Sequence, residues 1–206
     1  MEFETNNVRN VYEKIADTFN GTRRYTWRWV MDFVESLPRA SIIYDIGSGN
    51  GRNMQSKNHN FIGLDNCSKF TEICSNNSFN ITKADMCNLP FRSNSADGII
   101  CIASFHHLYT RERRLEALQQ MYRVIKSNGK ILLSIWSIVQ PKKTRRQFDK
   151  HGDTIVKWDN RDGEKYDRYY YIFDLKEILE LFQEAKLEMI SNTWECGNEV
   201  FILKKI

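Results

Sequence analysis

The chain has no long hydrophobic run, no paired cysteines and little charge bias, and each absence closes off a class of protein. No apolar stretch approaches the roughly 18 residues that a membrane-spanning helix needs. Met1 opens on polar residues instead of a charged start and a hydrophobic run, so a soluble, unsecreted protein is expected. The five cysteines, Cys67, Cys74, Cys87, Cys101 and Cys196, are odd in number, scattered and nowhere spaced C-x-x-C. That speaks against a disulfide framework or a zinc knuckle, and for a reduced compartment and no intrinsic metal. Thirty Lys and Arg against 26 Asp and Glu leave a net charge of +4, too mild to indicate nucleic acid by itself. Repeats and low-complexity tracts are also missing. What remains is 206 residues, read as one domain over 1–206, long enough to bury roughly two-thirds or more of its unfolded surface.

The most informative stretch is Ser41-Ile42-Ile43-Tyr44-Asp45-Ile46-Gly47-Ser48-Gly49-Asn50-Gly51. An apolar, β-branched run breaks into three glycines at alternate positions, as a buried strand does when it ends in a loop whose backbone passes close to a ligand. The dinucleotide turn would read G-x-G-x-x-G and lead straight into a helix, so G-x-G-x-G suits a nucleoside better than a pyrophosphate. Phe61-Ile62-Gly63-Leu64-Asp65 is a second short strand, ending in an acid 18 residues after Gly47, where a carboxylate accepts from ribose hydroxyls. Ile81-Thr82-Lys83-Ala84-Asp85-Met86 is a third, and Asp97 to Ala103 a fourth, leaving into Ser104-Phe105-His106-His107.

Around these strands the periodicity predicts a helix over residues 7–19, another from Trp27 to about Leu37, and one capped by Asn66-Cys67-Ser68. Thr22 to Trp27, with Arg23 and Arg24 among aromatics, is a candidate lid. Strand three, about residues 80–84, should lie at a sheet edge. Thr110 caps a strong helix with Leu115, Leu118, Met121, Tyr122 and Ile125 on one stripe, closed by Asn128-Gly129-Lys130 ahead of a fifth strand, 131–136. Residues 139–165 read as a flexible basic insertion beside the ligand end of the sheet. Extended structure resumes at Arg168-Tyr169-Tyr170, Asp174 caps a last helix, and two strands close the chain around 187–194 and 199–203.

At these strand tips the chain resembles the class I S-adenosylmethionine-dependent methyltransferases. The resemblance implies an α/β, Rossmann-like fold: a seven-stranded, mostly parallel sheet with helices on both faces. It places S-adenosylmethionine over Asp45, Gly47, Gly49, Gly51, Asp65, Asp85, Met86 and Ala103, with its methionine end at the glycines, ribose on Asp65 and adenine against Asp85 and Met86.

A narrower resemblance rests on Tyr12-Glu13-Lys14-Ile15-Ala16, Phe19, Thr22-Arg23 through Trp27, His106-His107, Thr110 to Arg114, Trp136, Val156 to Trp158 and Arg168-Tyr169-Tyr170. These are similar to the eukaryotic tRNA methyltransferases that esterify 5-carboxymethyluridine at the wobble position, including the methyltransferase domain of AlkB-type homologues. Ser48 stands where that family usually has cysteine, and Asn66-Cys67 where it usually has an arginine. The reaction needs no general base, because a carboxylate with a pKa near 4 is already ionised. Arg24, His106, Arg168 and Tyr169 are expected to hold the substrate carboxylate, with His106 preferred over His107 as the ring facing the cleft. Arg23, Lys142, Lys143, Arg145 and Arg146 are expected on the anticodon loop, and Trp136 and Trp158 against an extruded base.

The resemblance also implies a small zinc-binding activator subunit, expected on strand three at Phe79 and Ile81, and a cytoplasmic location with the nucleus also open. A small-molecule or lipid methyltransferase would instead lack a basic mouth and enclose an apolar pocket. A non-catalytic cofactor-binding subunit would have eroded cofactor residues, and here they are present.

Overall fold

The structure, a computed structural model, describes residues 2–144, 146–160 and 163–206. A short helix α1 (Glu2–Glu4) runs through a π-helical turn (Thr5–Arg9) into α2 (Asn10–Thr22), so helix begins well before residue 7. Tertiary contacts account for the early start. The Glu4 carboxylate accepts from the Tyr109 N–H at 2.9 Å and pairs with Arg113 at 2.9 Å, holding turns that have no apolar stripe of their own.

After α3 (Arg28–Glu35) come β1 (Ile42–Ile46), β2 (Asn60–Asp65), α4 (Ser68–Asn76), β3 (Ile81–Lys83), β4 (Ala96–Ile102), α5 (Arg111–Val124) and β5 (Ile125–Trp136). A hairpin of β6 (Gly152–Asp159) and β7 (Lys165–Ile172) follows, then α6 (Leu175–Glu184), β8 (Leu187–Glu195) and β9 (Asn198–Lys205). The main sheet has seven strands in the order β3-β2-β1-β4-β5-β9-β8, parallel through β5 and antiparallel at β9 and β8. Strand alternation sends Ile43, Ile100 and Leu132 to one face, under Val30, Phe33 and Val34 of α3. Ile99, Ile131 and Leu133 go to the other, under Leu118 and Met121 of α5 and Ile178 and Leu181 of α6. Helices therefore cover both faces, as expected for this class of sheet.

Three local features differ from the sequence reading. The helix closed by Asn128-Gly129 ends earlier, at Val124, because Ile125 already pairs with Ala96 in the sheet. Gly129 is then required by close approach, since a Cβ there would sit 2.6 Å from the Ile125 side chain. The helix after β2 is capped from a distance: the Glu13 carboxylate on α2 accepts from the Ser68 and Lys69 N–H groups at 2.6 and 3.0 Å. Much of the expected flexible insertion is a strand, β6 pairing with β7 from Gly152↔Ile172 to Asp159↔Lys165. Its residues alternate, Thr154, Val156 and Trp158 half-buried and Ile155 and Lys157 exposed, a period-two pattern that the basic residues disguise.

Candidate active site

The carboxyl ends of β1, β2, β4 and β5, roofed by α2 and flanked by β7, enclose a cleft of about 460 Å³. β1 leaves the sheet through Gly47, Gly49 and Gly51, all left-handed, with φ of 74, 55 and 78°. Their surroundings separate them. A Cβ at Gly47 would collide with Ser104 at the tip of β4, and one at Gly51 would lie 2.8 Å from Phe79. At Gly49 it would meet nothing within 4 Å. Gly47 and Gly51 are thus compelled by packing, whereas Gly49 leaves a cradle open to a ligand.

The Gly49 N–H donates to Asp65 Oδ2 at 2.8 Å and the Cys67 N–H to Oδ1 at 2.9 Å, which fixes the carboxylate plane at the tip of β2. Burial pushes Asp65 up to about 6 against those two bonds, leaving it largely ionised at neutral pH. Asp45 lies fully buried behind the loop, and neither of its oxygens has a partner among the described residues. Burial raises its pKa to about 8, so it carries a proton at pH 7. Asp85 receives Arg113 at 2.6 Å, and the same guanidinium holds Glu4. One wall is therefore acidic, with an open glycine cradle and an acceptor at each of two strand tips. Those donors and acceptors fit an adenosyl group that carries a cationic sulfonium.

The facing wall is cationic and aromatic. Arg23, Arg52, Arg146 and Arg168 line the cleft, and none forms an ion pair among the described residues. Burial, with repulsion from Arg23, holds Arg52 down at about 10. Arg23 and Arg146 are lowered likewise, burial acting first and neighbouring arginines adding to it. Trp136 stacks on Tyr170 at 3.9 Å and 9°, and the Arg146 guanidinium lies 4.2 Å over the Trp136 ring.

The Tyr12 hydroxyl is the hub of this wall, 3.0 Å from His107 Nε2, 3.2 Å from the Tyr170 hydroxyl and 3.4 Å from Arg168 Nη1. His107 Nδ1 lies 2.7 Å from the Tyr169 carbonyl oxygen, which can only accept, so Nδ1 carries the proton. Nε2 must then accept from Tyr12, whose oxygen in turn accepts from Tyr170 and Arg168. Burial drives His107 down to about 3, so the ring is neutral and its lone pair is engaged. The network aims a guanidinium and offers no free base.

Of the residues singled out in the sequence, Gly47, Gly49, Asp65, Asp85, Met86, Ala103, Arg23, Trp136, Arg146 and Arg168 line the cleft. Asp45 and Gly51 support it from behind. Several others point elsewhere. His106 is completely buried and accepts the Trp136 N–H at 3.0 Å, while His107 faces the cleft, because residues 105–107 form a 3₁₀ turn instead of an extended strand. Tyr169 sits on the far side of β7, its hydroxyl donating to Asp153 at 2.7 Å, and Tyr170 faces inward. Arg24 is exposed beyond the end of α2, and Lys142 and Lys143 are exposed on the turn after β5. Trp158 backs Arg168, whose guanidinium lies 4.9 Å over its ring, and does not line the cleft. Trp136 has one face covered by Tyr170 and Arg146 over its ring, so it offers no open face for a base. Arg145 lies outside the described residues. Arg52 and Asn198 were not singled out in the sequence, though Arg52 immediately follows Gly51, and Tyr12 and Arg113, which belong to the stretches that carry the narrower resemblance, were given no site role there.

A family model described as a methyltransferase domain matches residues 44–133. The chain is 33% identical to a Schizosaccharomyces pombe tRNA (carboxymethyluridine(34)-5-O)-methyltransferase over 228 aligned residues, spanning 100% of this chain and 99% of that protein. It is 36% identical to mouse tRNA (carboxymethyluridine(34)-5-O)-methyltransferase ALKBH8 over 160 residues, 77% of this chain but 24% of that much longer protein. Among solved structures, a S-adenosylmethionine-dependent methyltransferase from Clostridium acetobutylicum superposes with a TM-score of 0.70 over 95% of this chain and 98% of that one, at 14% identity. A Haloferax volcanii methyltransferase, solved with the Trm112 methyltransferase activator, also gives 0.70, over 96% of each chain at 14% identity. At such identities the two structures speak for the fold alone.

Proposed function

The chain belongs to the tRNA (carboxymethyluridine(34)-5-O)-methyltransferase family, and from that premise we propose that it uses S-adenosylmethionine to convert the carboxylate of 5-carboxymethyluridine, at the wobble position of tRNA, to its methyl ester. The observation that carries this reading is the set of four guanidiniums, Arg23, Arg52, Arg146 and Arg168, that line the cleft without an ion-pair partner among the described residues. Arg168 is buried and the other three half-buried, so their charge is only partly met by water, and a substrate bringing a carboxylate and backbone phosphates supplies counter-charge. A neutral small-molecule or lipid substrate would leave most of this charge unmatched, since the cofactor brings one carboxylate of its own.

When bound, S-adenosylmethionine supplies a methyl group on a sulfonium, a leaving group that requires no acid. Gly49 would give it backbone access, Asp65 would accept its ribose hydroxyls, and Asp85 and Met86 would hold its adenine. The incoming carboxylate is already ionised, so alignment and exclusion of water are the residues' main contribution. Arg168 is held for that task by Tyr12 and by its packing between Trp158 and Tyr170. His107, neutral and donating its Nδ1 proton to the Tyr169 carbonyl, orients Tyr12 and takes no proton from substrate.

A zinc-binding activator subunit fits the free edge of β3, where Phe79 and Ile81 are only half-buried. Strand addition there would brace Asp85 and Met86, so co-expression with the activator should tighten S-adenosylmethionine binding and Ile81→Asp should abolish the complex. Full activity and tight cofactor binding by the chain alone would remove the partner. No helix among the described residues is long and apolar enough to cross a membrane, and the reaction suits the cytoplasm. The deciding test is mass spectrometry of nucleosides from bulk tRNA incubated with the chain and S-adenosylmethionine. The methyl ester should appear as 5-carboxymethyluridine falls; an unchanged nucleoside profile, with the activator also present, rules the reading out.

A further inference from the structure

We propose that Asn198 is a specificity-determining residue whose side-chain carbonyl accepts the imide N–H of a uracil ring, an inference that rests on the proposed function. Asn198 opens β9 directly opposite Trp136 in the antiparallel register, and opposed residues project from the same face of a sheet. Both line the cleft. Asn198 is 2% exposed, and its amide nitrogen is committed: Nδ2 donates to the Glu195 carbonyl at 3.0 Å and lies 3.5 Å from that of Cys196. Those bonds fix which end of the amide is the oxygen. Oδ1 has no donor among the described residues, an unusual state for a buried carbonyl.

The neighbours define the donor it fits. Trp136, opposite Asn198 in the sheet, carries the Arg146 guanidinium over its ring, so the cleft lining includes donors as well as this open acceptor. The Watson–Crick edge of uracil carries one donor, N3–H, between two carbonyl acceptors, and that N3–H is the group the open Asn198 Oδ1 can receive. Cytosine places a lone pair at N3 and would set acceptor against acceptor. Asn198 would thus read the ring, while the arginines read charge that any anionic ligand could supply.

Asn198 also closes the β8–β9 turn, so the test must separate recognition from folding. Single-turnover methyl transfer, with saturating S-adenosylmethionine, is measured on anticodon stem-loops carrying 5-carboxymethyluridine or its N3-methyl derivative at the wobble position. Wild-type kcat/KM should fall about 10- to 100-fold on the N3-methyl loop, the effect of stranding one buried hydrogen-bonding group. Asn198→Ala should lose a similar factor on the ordinary loop and no more on the methylated one, while its urea unfolding midpoint reports separately on the turn. Equal wild-type rates on the two loops would overturn the inference, as would penalties in Asn198→Ala that multiply with N3-methylation. No transfer to either loop by the wild-type chain would overturn the proposed function itself, and this inference with it.

Discussion

Asp45→Asn should make the protein more stable and the enzyme worse. The Asp45 carboxyl is fully buried, has no hydrogen-bond partner among the described residues and titrates at about 8, against 3.8 in an unfolded chain. Between those values the native state holds a proton that the unfolded state has released, so native stability falls as pH rises, at about 1.4 kcal/mol per pH unit. Below pH 4 both states are protonated and the group costs nothing by this route. At pH 7 the accumulated cost is about 4 kcal/mol, and above pH 8, where both states are ionised, it levels off at about 5 to 6 kcal/mol. Asparagine has nearly the same shape and cannot ionise. Urea unfolding midpoints should therefore be nearly equal for the two proteins at pH 4 and diverge steadily to pH 8, the variant being the more stable. Parallel profiles, or a variant less stable at pH 8, would show that Asp45 is not the strained group inferred here. The wild-type chain retains a carboxyl at this cost behind the loop proposed to cradle the cofactor, so Asp45→Asn should also weaken S-adenosylmethionine binding, the usual exchange of stability for function.

Three further outcomes follow from the cleft. Asp65→Asn should weaken S-adenosylmethionine by about 2 to 4 kcal/mol, since two ribose hydroxyls lose a charged acceptor, and unchanged affinity by calorimetry would remove Asp65 from the site. Arg168→Ala should lower the single-turnover rate on carboxymethylated tRNA while cofactor affinity holds; normal turnover would show that Arg168 does not meet the substrate carboxylate. Replacing Arg23, Arg52 and Arg146 should flatten the slope of log tRNA affinity against log salt by about one unit each, and a slope that responds to Lys142 and Lys143 instead would move the phosphate contacts onto the exposed loop.

The sheet was legible because buried parallel strands have few ways to be written. Ile42 to Ile46 and Ile99 to Ile102 are rich in isoleucine, and each ends at a loop that lines the cleft. Elements whose stability comes from elsewhere were harder to find. The first turns of the N-terminal helix depend on Arg113 and Tyr109, more than a hundred residues away, and α4 depends on Glu13, which no local pattern encodes. In β6 the alternation is present, but Lys157 and the lysines and arginines ahead of it read as a solvated loop until β7 is seen to pair with it.

Within the site, the residue types were readable and the choice between neighbours was not. Three doublets, Arg23-Arg24, His106-His107 and Tyr169-Tyr170, each put one member in the cleft and one outside, and adjacent positions differ only in direction. Direction follows from backbone geometry. For the tyrosines it could have been derived: if Arg168 faces the cleft from a strand, period two brings Tyr170 to the same side and sends Tyr169 away. For the histidines it could not, because the outcome depends on a 3₁₀ turn of three residues that composition does not announce. The same turn assigns their chemistry. His106, turned inward, accepts the Trp136 N–H and fixes the end of β5, whereas His107 meets Tyr12 and through it Arg168. A pair of histidines at a strand tip suggests acid–base catalysis, yet burial holds both below their usual range and gives each Nδ1 a backbone partner. That is the arrangement a reaction with an already ionised nucleophile permits, His107 serving through Tyr12 as a fixed strut for the Arg168 guanidinium.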